Sequence, residues 1–160
     1  AAREATEWFV ELQTVHGVVP DALAETAESS ESRFLNGRTA MFLNSRRGTP
    51  TARAVEGLDW DVAALPIGME PAGILHSDAY CMAAAAEDKD AAWTFIEYAN
   101  SPQGQAIVAE SGRTVPSLIE VASSDAFLDP SVGPANCAVW LETVDSLRTL
   151  PVMAAWVDIE

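Results

Sequence analysis

Two adjacent arginines, Arg46 and Arg47, follow an apolar run within the segment Asn44-Ser45-Arg46-Arg47-Gly48. A guanidinium is a planar fork of donors that matches a carboxylate, a phosphate or a pair of hydroxyls. The pair is therefore a candidate for holding a polar or anionic molecule, with solvated surface charge as the plain alternative. The rest of the reactive inventory is sparse. Cys81 and Cys137 lie too far apart in sequence to read as a metal pair, and His16 and His76 are the two histidines. No C-x-x-C, H-E-x-x-H, nucleophile elbow, P-loop or dinucleotide fingerprint occurs. Asp and Glu fall mostly on helix starts and exposed faces, so no carboxylate pair stands out for acid–base work. The expectation is a binding protein with no catalytic residues, no metal and no cofactor.

Composition narrows the partners. With 160 residues and 49% hydrophobic content, the chain can bury a core and is not expected to be disordered. Its net charge of −15 repels phosphate backbones, and eight arginines and the single lysine, Lys89, are scattered rather than gathered in a stripe, which argues against nucleic acid. The longest apolar stretches, such as Ala79 to Ala86, fall well short of the roughly 20 residues that span a bilayer. No signal peptide is visible at the start. Both ends read as cut inside helices: Ala5, Trp8, Phe9, Leu12 and Val15 follow helical spacing with no N-cap ahead of them, and Pro151 leads into Ala154, Ala155, Trp156 and Ile159. A fragment of a longer protein is expected.

The elements that must position the arginines follow from punctuation and periodicity. The opening helix should stop at Gly17 and a short helix from Ser30 to Asn36 at Gly37, since glycine tolerates the left-handed C′ conformation. Thr49-Pro50 should start a helix that Gly57 ends. Asp88 is a good N-cap for a helix using Ala92, Trp93, Phe95, Ile96 and Ala99, and Ser101-Pro102 should begin another that ends near Gly112. Compact apolar runs at Thr39–Leu43, Trp60–Leu65 and about Ala79–Ala84 suit buried strands. Strands interleaved with helices predict an α/β architecture with a mostly parallel sheet.

Four segments, in order, resemble the sugar-binding branch of the bacterial extracellular solute-binding proteins, the group of the maltose- and glycerol-phosphate-binding proteins. They are FLNGRTAMFLN (Phe34–Asn44); WDVAALP (Trp60–Pro66) followed by AGILHSDAY; DKDAAWTFIEYANSPQGQAIVAESGRTVPS (Asp88–Ser117); and SLRTLPVMAAW (Ser146–Trp156). The resemblance implies a type II periplasmic-binding-protein-like fold, in which two α/β lobes close on a solute about a hinge. It places residues 1–75 in the C-terminal lobe, 76–130 in the hinge crossing and part of the N-terminal lobe, and 131–160 in a truncated return to the C-terminal lobe. Most of the N-terminal lobe, and half the cleft with it, is expected to be missing. Trp93, Phe95 and Ile96 would pack their helix onto a sheet.

The same resemblance nominates site residues. Sugar sites in the family combine an aromatic platform with planar polar groups. Asn44, Arg46 and Arg47 occupy the loop where many relatives present a glycine and a stacking tryptophan, with Arg47 at the tryptophan's place. Gly73, His76, Asp78 and Tyr80 match a glycine-rich stretch that faces solute. Arg148 matches an arginine ahead of the last crossing, and Trp140 could supply the platform. Arg113 either reaches the cleft edge or caps the preceding helix. An exported setting would permit a Cys81–Cys137 disulfide, against two buried free thiols. The implied partners are a sugar-like solute and an ABC permease, with the protein a monomer held outside the cytoplasm, periplasmic or lipid-anchored. An acidic protein-interaction domain and a hydrolase of unrecognised type are the competing readings.

Overall fold

A computed structural model describes residues 2–149, so the expected helix after Pro151 and most of the fourth resembling segment lie outside the described residues. The chain divides into two compact units. One holds the chain up to Ser45 together with Val55–Leu58, the other Arg46–Ala54 together with the chain from Asp59.

The first unit contains α1 (Ala2–Thr14), α2 (Ala22–Ala27) and α3 (Ser30–Leu35). Caps decide the two short helices: the Asp21 carboxylate accepts from the Ala24 N–H at 2.8 Å, and Ser29 Oγ accepts from the Ser32 N–H at 3.2 Å. Gly17 and Gly37 take positive φ, as the stop signals require. None of the three helices buries a residue completely; their joints are polar, with the Glu28 carboxylate accepting from Asn36 and Arg38.

The second unit is where the core sits. It contains α4 (Thr49–Arg53), β1 (Gly73–Ile74), α5 (Lys89–Asn100), α6 (Pro102–Glu110), α7 (Ile119–Ala122), α8 (Asp125–Leu128), α9 (Val139–Glu142) and β2 (Leu147–Arg148). The Asp88 carboxylate accepts from the Ala91 N–H at 2.8 Å, Ser101 Oγ accepts from the Gly104 N–H at 3.2 Å, and Pro102 opens α6. α6 packs against α5, α7 and α8. Ala109, Val121, Phe127 and Cys137 are buried together, with Leu118, Trp140 and Leu141 closing around them.

The expected sheet is much reduced. Among the described residues the one ladder is β1 with β2, parallel, with Gly73 opposite Leu147 and Ile74 opposite Arg148. Residues 39–43, 60–65 and 79–84 form no strands. An apolar run reports what a segment would bury, but a ladder needs a neighbouring backbone to pair with, and these segments have none here. Met41 is 87% exposed as a result. The run from Trp60 finds a side-chain substitute: Asn136 donates from its backbone N–H to Asp61 Oδ1 at 2.9 Å and from Nδ2 to the Val62 carbonyl at 3.0 Å. The packing expected of α5 is also corrected. Among the described residues no sheet lies under it, and Trp93 and Phe95 are 53% and 61% exposed.

Candidate functional site

Three buried positions at a spacing of three residues, Arg46, Thr49 and Ala52, run through the 3-10 turn Arg46–Gly48 into α4. A stripe at that spacing is one face of a tight helix, so the turn rolls Arg46 inward and leaves its neighbour outside. Arg46 is only 5% exposed. Its guanidinium carbon lies 4.2 Å from the ring centre of Phe127 and 4.6 Å from that of Trp140. Nε donates to the Thr114 carbonyl at 3.2 Å and Nη1 reaches Cys137 Sγ at 3.5 Å, while buried Nη2 has no partner among the described residues. Burial pushes the Arg46 guanidinium below its ordinary pKa; the contact with Cys137 works the other way, and the charge of Arg53 adds to the lowering.

Arg47 turns outward. Its Nη2 donates to both oxygens of Asp78, at 2.7 and 3.0 Å, and the two side chains are 57% and 64% exposed. A pair this open is worth less than about 1 kcal/mol, so a ligand that competes for either partner meets little resistance. Both side chains are more than half exposed, and together a guanidinium and a carboxylate are a donor–acceptor set suited to hydroxyls.

The structure therefore brings Arg47 and Asp78 together from separate segments, with Tyr80 two residues further on, and joins Arg46 to Trp140. Trp140 is half-buried against the Arg46 guanidinium, so the ring nominated as a platform is already covered on that side. Tyr80 instead meets Phe95 of α5 edge-on, with centroids 5.9 Å apart. Gly73 packs against its ladder partner: a Cβ there would come within 2.9 Å of Leu147 Cδ2, a side-chain tip that can swing aside. Arg148 lies across the same ladder and donates to the carbonyls of Asp145 and Leu147, beside an open groove of about 330 Å³ that Pro71, Glu142 and Asp145 also line. His76 and Arg113 are exposed. Asn44, in the other unit, accepts from the Ser45 N–H at 2.8 Å.

Sequence reasoning passed over Arg53. Its Nε donates to the Gly133 carbonyl at 2.7 Å and its Nη1 to the Glu110 carbonyl at 2.8 Å, tying α4 to the end of α6. Its place seven residues after Arg46, on the same helical face, was the available signal. Both cysteines are free: Cys137 is buried, but Cys81 is exposed, so neither the disulfide nor a pair of buried thiols describes them. Among the described residues no three His, Cys, Asp or Glu side chains gather as metal ligands.

Residues 1–131 match the family described as bacterial extracellular solute-binding protein. The chain belongs to that family. No curated protein and no solved structure matches the chain significantly. Membership in the solute-binding proteins implies a periplasmic-binding-protein-like fold, an extracytoplasmic location, a small-molecule solute and an ABC permease as partner, and makes capture rather than catalysis the expected role. No helix among the described residues is long and apolar enough to cross a membrane. Arg46, Arg47 and Asp78 lie inside the matched span; Trp140 and Arg148 lie beyond it.

Proposed function

We propose that this chain captures a sugar, a polyol or a sugar or glycerol phosphate for an ABC importer, with Arg47 and Asp78 as the groups that meet the solute. The observation that carries this reading is the Arg47–Asp78 pair, in which one guanidinium nitrogen meets both carboxylate oxygens, assembled from two segments and left largely exposed. Neutral hydroxyls would bridge the pair; a phosphate would draw Arg47 away from Asp78 and must therefore outbid a weak contact only. Arg113, Arg148, His76, Tyr80 and Asn44 are secondary candidates. In this reading residues 1–75 belong to the C-terminal lobe, 76–130 to the hinge crossing and part of the N-terminal lobe, and 131–160 to the return, with the protein acting as a monomer. An intact parent chain carrying both lobes would close on the solute, and these 160 residues alone would bind weakly.

Calorimetric screening of such a parent against maltose, glycerol and glycerol 3-phosphate tests the proposal, because a ligand that binds the folded state raises Tm once its concentration exceeds the Kd. One of the three should raise Tm, and Arg47→Ala together with Asp78→Asn should abolish that rise. No rise with any solute would instead favour an acidic protein-interaction domain, a reading supported by the exposed aromatic residues Trp93, Phe95 and Tyr98 on α5.

A further inference from the structure

We infer that Arg46 is the positioning residue of the Arg47–Asp78 site: its guanidinium, clamped between Phe127 and Trp140, fixes the rotation of the 3-10 turn and so the direction in which Arg47 points. The inference deepens the solute-binding reading and, for its functional meaning, rests on it. In a 3-10 turn successive side chains diverge by about 120°, so whatever holds Arg46 inward holds Arg47 away from the core. Four contacts from four places hold it: the Phe127 ring on α8, the Trp140 ring on α9, the Thr114 carbonyl before α7 and Cys137 Sγ before α9.

Filling space does not account for a guanidinium here. Among the described residues Nη2 is buried without a partner and no carboxylate pairs with the charge, so an apolar side chain of similar size would fill the gap without that desolvation. What the guanidinium adds is direction. A flat group lying 4.2 and 4.6 Å from two ring centres, with Nε fixed on a carbonyl, is held in rotation more tightly than a flexible aliphatic chain. Thr49 and Ala52, buried on the same stripe, extend the constraint along α4.

The test uses the full chain with isotope-labelled arginine, reading the guanidinium nitrogen signals by NMR. The Asp78-bound signal of Arg47 is identified as the one that moves in Asp78→Asn. Trp140→Leu removes one of the two ring contacts without touching the turn, and Val121→Ala weakens the same core at a residue that supplies none of the four contacts to Arg46. The expected result is that Trp140→Leu shifts the Arg47 signal to the free-guanidinium position while Val121→Ala leaves it in place. An Arg47 signal unmoved in Trp140→Leu, or moved equally in both variants, overturns the inference. Should Trp140→Leu not fold, Arg46→Lys, which keeps the charge and loses the planar stack, makes the same comparison with the same two outcomes. Affinity for glycerol 3-phosphate or maltose in Arg47→Ala is a separate readout: unchanged affinity refutes the solute role of Arg47, whereas the spectral comparison judges Arg46 alone.

Discussion

Gly104→Ala sets two familiar effects against each other at the joint between α5 and α6. Gly104 sits in the first turn of α6, where alanine is the better helix former by about 1 kcal/mol. A Cβ added there would lie 2.2 Å from the Tyr98 carbonyl oxygen and 2.8 Å from Ala99 Cα, both backbone atoms at the end of α5. Neither can swing aside like a side-chain tip, so α6 must retreat by roughly 1 Å to restore ordinary van der Waals separation. That retreat stretches the 3.2 Å bond from the Gly104 N–H to Ser101 Oγ, which caps the helix. Overpacking at about 1–3 kcal/mol and a weakened cap at about 1 kcal/mol exceed the gain in propensity, leaving a net loss of about 2 kcal/mol. For a chain of this size the loss lowers Tm by about 4–8 °C, measured by calorimetry or far-UV circular dichroism. An unchanged or higher Tm would refute the reasoning, since it would mean that helix propensity outweighs the close approach.

Arg46→Met should cost less than about 2 kcal/mol in urea denaturation, because loss of the aromatic stacking is offset by removal of an unpartnered buried charge. Arg46→Ala, which also opens a void between Phe127 and Trp140, should be worse by about 2 kcal/mol, and equal losses would show that filled volume contributes little there. A thiol reagent applied to the folded protein should label Cys81 quickly and Cys137 only on unfolding; two fast thiols would contradict the burial of Cys137. Acid should destabilise through three carboxyls held below their ordinary values: Glu25 by hydrogen bonds from Ser30, Glu28 by Asn36 and then Arg38, and Asp129 by Ser131. A depressed carboxyl favours the folded state above its unfolded value, 4.5 for the two glutamates, and loses that contribution as pH falls through its lower folded value. Tm should therefore be insensitive to these groups above about pH 5 and fall below it, and Glu25→Gln with Glu28→Gln should flatten that fall.

The helices were legible because their signals are local. Asp88, Ser101 and Pro102 act within one turn of themselves, and Gly17, Gly37 and Gly112 each take the positive φ that a helix stop requires; Gly57 takes it too, but the helix it was expected to end, α4, stops earlier at Arg53 with Ala54 as its cap. At Gly112 a second reason emerged in the fold, where a Cβ would come within 2.7 Å of Arg53 Nη1. The strands were not legible for the opposite reason. The run Thr39–Leu43 has the composition of a buried strand, but pairing is a property of two segments, and the run itself says nothing about whether its neighbour is present. The exposed aromatics of α5 follow the same logic: their helical spacing was sound, and the surface they were expected to cover is not among the described residues.

The site shows where residue type stops being informative. Arg46 and Arg47 are identical in kind and adjacent in sequence, and read from the sequence they form one polar pair facing one ligand. A turn with three residues per revolution separates them, sending one into a core of aromatic rings and carbonyls and the other to Asp78. The inward arginine is recognisable only after Thr49 and Ala52 are seen to share its face, and the outward one only after a segment 31 residues downstream supplies its carboxylate. Spacing within α4 could have been read in advance; the partner could not, because it depends on the chain between Arg47 and Asp78 returning to the same place. The proposed solute contact of Arg47 therefore draws on tertiary geometry, whereas the inward placement of Arg46 follows from the period of a single turn.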